Sequence, residues 1–132
     1  MAITLAEAEQ ILQASKAHAT QMGLIVAIAV VDPRGDLVAM IRMDGALWRT
    51  APVARGKAFA SVAYGVPSAD LMARADTPVM RSLIMMEQGE IIPQQGALPI
   101  MRGQAVIGAI GVSGAAAHED EEIARAGIAS LS

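Results

Sequence analysis

The residues of this sequence whose types suit chemistry are few and fall in three stretches. Arg42 and Asp44 flank Met43 at the end of an apolar run, with Gly45 and Ala46 behind them. Lys57 stands among Ala54, Ala58, Phe59 and Ser61. Ser113 closes an apolar stretch spaced by Gly108, Gly111 and Gly114. A guanidinium binds a carboxylate through two parallel hydrogen bonds. Burial raises an aspartate or lowers a lysine into the range where each carries a proton near neutral pH. A glycine within a strand marks a place where a ligand or another backbone comes close. Arg42, Asp44, Lys57 and Ser113 thus form a candidate catalytic set. Arg42, Asp44, Arg49, Gly108, Gly111 and Ser113 form a candidate ligand-binding set. Both suit a small carboxylated molecule. Plainer readings stand beside these: a solvated strand end for Arg42 and Asp44, a snorkelling Lys57, and close packing at the glycines.

Composition narrows the partners. The 132 residues carry a formal net charge of −3, and their ten basic residues are scattered. A nucleic-acid surface needs clustered Lys and Arg, so no nucleic acid is expected. Trp48, Phe59 and Tyr64 are the only aromatics, and there is no cysteine. Base-stacking platforms, zinc ribbons and thiol nucleophiles are thereby excluded. Hydrophobic residues make up 54% of the chain and charged residues 17%. A small domain has limited interior for such an excess, so a homo-oligomer is expected, with apolar surface buried between subunits. The longest apolar run, 24–31, falls far short of the roughly 20 residues of a membrane span. Residues 1–15 lack the basic start of a secretory leader. No membrane association and a cytoplasmic location are the expectation.

The elements that must position the candidate residues follow from pattern. Thr4 and Glu7 form a capping box for a helix over 5–22, closed by Gly23. Runs 24–32 and 36–43 form a hairpin turned by Pro33-Arg34-Gly35. A helix spans 50–64, with Pro52 in its first turn; short helices cover 69–75 and 79–86. Short strands are expected at 90–92 and 98–101, a long strand at 105–113, and a helix at 118–131 whose acidic first turn suits the helix dipole. This order predicts a single α+β domain over 1–132, a largely antiparallel sheet with helices packed on it. Nucleotide motifs fail: no G-x-G occurs, and Ala51 and Ala58 stand where a phosphate loop needs other residues. Ser113 is not in G-x-S-x-G. His18 and His118 lie on different helices, and neither has a second histidine at helical spacing.

Several motifs occur together in order: Val30-Val31-Asp32 with Gly35, Arg42-Met43-Asp44-Gly45-Ala46, Lys57-Ala58, Gly96 with Pro99-Ile100, residues 107–114, then Asp120 and Ala126-Gly127. This arrangement resembles the GlcG/HbpS-like family across roughly residues 5–131. That family includes glycolate-operon proteins, haem-binding proteins and the C-terminal domain of PduO-type corrinoid adenosyltransferases. The resemblance implies a five-stranded antiparallel sheet flanked by helices, a profilin-like α/β sandwich, and homo-oligomers. Arg42, Asp44, Lys57, Gly111 and Ser113 fall on its shared motifs. Ala97 departs from them, since relatives often carry glycine there.

Three functions remain open. The first is a small-ligand binder for haem or another tetrapyrrole, with Arg42 or Arg49 on the propionates and His18, His118 or a methionine as the axial ligand. His18 is the metal-ligand candidate only if haem binds. The second is a cofactor-independent isomerase, tautomerase or lyase that moves protons on an oxo- or hydroxy-acid. The third is an oligomeric accessory protein without chemistry. No cofactor other than haem is suggested.

Overall fold

The computed structural model describes residues 1–131. The expected capping box forms: Glu7 N donates to Thr4 Oγ1 at 3.1 Å and Thr4 N to Glu7 Oε1 at 3.0 Å. It starts α1 (Leu5–Gln21). The hairpin comprises β1 (Ala27–Val31) and β2 (Leu37–Arg42). Its turn is held by Asp32 Oδ1, which accepts from Arg34 N at 2.9 Å and Asp36 N at 3.0 Å. Next come α2 (Thr50–Tyr64), a 3₁₀ helix (Ser68–Arg74) and α3 (Pro78–Met86). The chain ends in β3 (Ala97–Arg102), β4 (Ala105–Ser113) and α4 (Ala117–Ala129).

The fold is α+β, and among the described residues its sheet has four antiparallel strands in the order β2-β1-β4-β3. The expected fifth strand at 90–92 does not form. Ile92 N bonds Gly56 O of α2 at 3.0 Å instead of a neighbouring strand, and Pro93 beside it has no N–H to offer. The short helix expected at 69–75 is the 3₁₀ turn beginning at Ser68. Pro99 is accommodated because β3 lies at the edge of the sheet.

Side-chain size decides which helix covers which face. Ala27 and Ala29 of β1 pack with Ala54 of α2. Val26, Ile28 and Val30, on the alternate register, pack with Ile11 of α1 and Ile123 of α4. Small residues therefore let α2 lie close on one face, while branched residues fill the wider gap to α1 and α4 on the other. Gly111 of β4 is the point of closest approach. A Cβ there would stand 2.1 Å from Ala54 O and 2.8 Å from Ala58 N. Outside these layers, α3 presents Val79, Met85 and Met86 to solvent, each more than 70% exposed. Among the described residues no helix is long and apolar enough to cross a membrane.

Two outcomes test this packing. Gly111→Ala forces backbone against backbone and is expected to destabilise the fold by about 1–3 kcal/mol, read by urea denaturation. The Glu7 carboxyl is held below the usual carboxylate range, chiefly by the Thr4 amide, with the Thr4 hydroxyl and Arg102 assisting. Its folded pKa lies below its unfolded one. Its stabilisation is therefore full above the ordinary glutamate pKa and is lost as pH falls through the folded value. Glu7→Gln should flatten the acid side of a melting-temperature profile.

Candidate functional site

The segment after β2 is folded on itself. Met43 N bonds Val26 O at 3.0 Å, and Ala46 N bonds Met43 O at 3.0 Å. Gly45 takes the left-handed φ of 88° that this turn requires. Arg42 Nη1 donates to Ala46 O at 2.6 Å and not to Asp44. One donor of the guanidinium thus secures the turn, and the side chain stays exposed with its remaining donors.

Two recesses flank this turn. One, of about 410 Å³, is lined by Lys16, Ile41, Arg42, Met43 and Asp44, placing two cations against one carboxylate. The other, of about 480 Å³, has apolar walls from Ile25, Ala46, Leu47 and Val53, with Arg49 and Ser113 among its polar groups. This second recess sits at the start of α2. Arg49 occupies the N-cap without a side-chain cap bond, and the first turn of α2 holds no acidic residue. Thr50 N is spent on Leu47 O at 3.0 Å and Pro52 has no N–H, so the anion-binding group on this rim is the Arg49 guanidinium.

Beneath this recess lies a buried ion pair. Lys57 Nζ donates to Asp120 Oδ2 at 3.1 Å and to Val112 O at 3.1 Å, and Asp120 Oδ1 accepts from Ala115 N at 3.0 Å. Their side chains are 8% and 2% exposed. The pair runs past the end of the sheet and joins α2 on one face to α4 on the other. Gly96 leaves the passage: a Cβ there would stand 2.8 Å from Lys57 Nζ and 2.8 Å from Val112 O. Burial pushes the Asp120 carboxyl up, while Lys57 and the Ala115 amide pull it down. The bonds at Val112 and Ala115 bracket Ser113 and Gly114, so the pair sets the floor of the recess.

The structure gathers Arg49 and Ser113 into this recess and sets Arg42 and Asp44 in the adjoining one. Lys57 lies below, its ammonium held by Asp120 and the Val112 carbonyl. Gly108 and Gly111 stand apart. A Cβ at Gly108 would meet Val31 O at 2.4 Å, and α2 lies over Gly111. His18 lines neither recess; its Nε2 lies 2.8 Å from Glu122 Oε2, between α1 and α4. Ala97 is buried, with its N–H on Ser68 Oγ at 2.9 Å. Sequence reasoning took Asp120 for a dipole-favouring acid and missed its pairing with Lys57. The signal was present: Asp120, Ile123, Ala124 and Gly127 form one buried helical stripe, and an acid on such a stripe needs a cationic partner.

Residues 3–129 match the family described as haem-degrading protein HbpS-like. A 15.0 kDa protein of Citrobacter freundii from the dhaT-dhaS intergenic region, itself uncharacterized, is 30% identical over 123 residues; these cover 92% of this chain and 87% of that protein. The crystal structure of a double mutant of Streptomyces reticuli HbpS superposes with a TM-score of 0.87 at 30% identity, over 100% of this chain and 88% of that one. That of the PduOC:haem complex gives 0.85 at 26% identity, over 98% of this chain and 95% of that one.

Removing one partner of the buried pair strands the other charge. Asp120→Ala is expected to cost about 3–5 kcal/mol, and the double substitution Lys57→Met with Asp120→Leu to recover most of it. Denaturant titration of the three proteins checks this.

Proposed function

The chain belongs to the HbpS-like family, and on that premise we propose that the recess at the start of α2 binds haem or a related carboxylated tetrapyrrole. The observation that carries this reading is an apolar recess with Arg49 on its rim and Arg42 in the recess on the other side of the same turn. A tetrapyrrole bearing propionates needs apolar walls for its ring and cations or amides for its carboxylates. The volume of about 480 Å³ lies within the range of small-molecule sites. That a 26% identical relative forms a haem complex supports the choice of ligand.

The residues present fit the ring and its carboxylates. Of the candidate iron ligands, Met43 alone lines these two recesses and would be the residue to hold the iron. Haem, when bound, brings a redox-active iron. Arg42 and Arg49 would hold its carboxylates, Leu47 and Val53 would give its ring an apolar wall, and Ser113 would offer a hydroxyl. The proton-transfer reading draws less support. Lys57, its buried base, is engaged by Asp120 and the Val112 carbonyl and sits 7% exposed.

Hemin titration followed at the Soret band tests the proposal. Binding is expected to saturate at a fixed stoichiometry. Arg42→Ala with Arg49→Ala should weaken it by about tenfold or more, since each charge-assisted bond contributes roughly 1.5–3 kcal/mol. His18→Ala should stay within about twofold, because its Nε2 belongs to Glu122 and not to the recess. A lost Soret band in His18→Ala with unchanged binding in the arginine variant would move the haem to the α1–α4 surface.

A further inference from the structure

A third recess lies on the α2 side of the molecule and shares no lining residue with the two already described. It measures about 330 Å³ and lies between β2, the first turns of α2 and residues 89–92. Leu37, Met40, Pro52 and Ile92 give it an apolar lining, and Arg55 and Glu90 are its charged groups. The two are poorly matched. Arg55 Nη2 stands 4.0 Å from Glu90 Oε2, beyond hydrogen-bond reach, and the Glu90 side chain is 52% exposed. Arg55 Nε is buried without an acceptor. With its donors largely unspent and Glu90 only loosely opposed, the guanidinium can take an added carboxylate when the exposed Glu90 side chain turns to solvent.

The recess is also preorganised. Ile92 N bonds Gly56 O at 3.0 Å, and the Ile92 side chain lies directly over Gly56, 2.6 Å from where a Cβ would stand. This fixes Ile92 against α2, while Gly89 N and Glu90 N bond Ile84 O and Glu87 O at the end of α3, so little ordering is required when a ligand enters. Leu37, 42% exposed on the outer strand, leaves the mouth of the recess apolar.

We propose that this recess is a separate binding site for an amphipathic monoanion, an alkyl carboxylate whose head group pairs with Arg55 while its chain lies along Leu37, Met40, Pro52 and Ile92. A neutral alkyl ligand gains only the apolar wall, and a small inorganic anion gains only the guanidinium. The site selects for both parts in one molecule.

Calorimetric titration of the full chain with sodium octanoate tests this. Saturable binding with a Kd of about 0.1–1 mM is expected for a ligand of that size, with octanol at least about tenfold weaker, as expected for loss of a charge-assisted bond. Arg55→Met should weaken octanoate by about tenfold or more. Leu37→Asp, a substitution at an exposed position that leaves the guanidinium in place, should do the same by repulsion. Arg125→Met, which removes an exposed arginine on α4, should change nothing. The proposal is overturned by absence of saturation at millimolar octanoate, or by equal affinity for octanol. It is also overturned by binding that survives in Arg55→Met and Leu37→Asp but fails in the Arg42→Ala, Arg49→Ala double variant. Sedimentation in which Leu37→Asp halves the assembly mass of a protein that binds no octanoate would assign the recess to a second copy instead.

Discussion

A buried lysine has to find an anion, and in this molecule that requirement organises the end of the sheet. The Lys57 ammonium cannot be satisfied within its own layer, where alanines from α2 and the sheet meet. It passes the sheet at Gly96 and ends on Asp120 of the opposite layer. The same two side chains take the Val112 carbonyl and the Ala115 amide, which fixes the path of the chain between β4 and α4. The net energy of such a pair is small, because desolvation offsets most of the attraction. Its effect lies in geometry. The two charges tolerate one arrangement of four chain segments, and Ser113 and Gly114 are held wherever that arrangement puts them.

The close seating of α2 is the second constraint, and it bears on the site from the other side. Ala27, Ala29 and Gly111 let the helix approach, and its first turn then lies beside the turn that follows β2. The start of α2, the Arg42–Ala46 turn and the β4–α4 connection meet around one recess because each is tied to the sheet by contacts of backbone precision. The arginines on the rim, by contrast, are exposed and lightly tied. Arg42 spends one donor on its own turn, and Arg49 caps nothing. The fold is thus determined beneath the recess, while the side chains on its rim are left free to move.

Much of this was legible in the residues. The Thr4–Glu7 capping box and the hairpin turned at Pro33-Arg34-Gly35 are local signals, and each formed as local physics dictates. The strand expected at 90–92 was illegible because its residues are apolar enough for either a ladder or a packed loop; the contact that decided was Ile92 on Gly56, a tertiary one. Lys57 was visible as a charged group among alanines, but its partner lies 63 positions away, and no spacing rule reaches that far. The glycines at 108 and 111 were correctly seen as points of close approach. Whether a ligand or another part of the protein approaches is decided by layer order, which periodicity alone does not encode.

The length of the loop closed by Lys57 and Asp120 has a consequence for the order of assembly. A contact across 63 positions is made only after the entropy of bringing distant segments together has been met by other interactions. The hairpin and α2 are nearer neighbours along the chain, and they can settle against each other first. The connection between β4 and α4 takes its final path when α4 docks and Asp120 meets the ammonium waiting at the end of the sheet. The central pairing of β1 with β4 joins residues still farther apart, Ala27 with Ser113, so the floor of the recess is completed together with the long-range pairing of the sheet and not by the local hairpin.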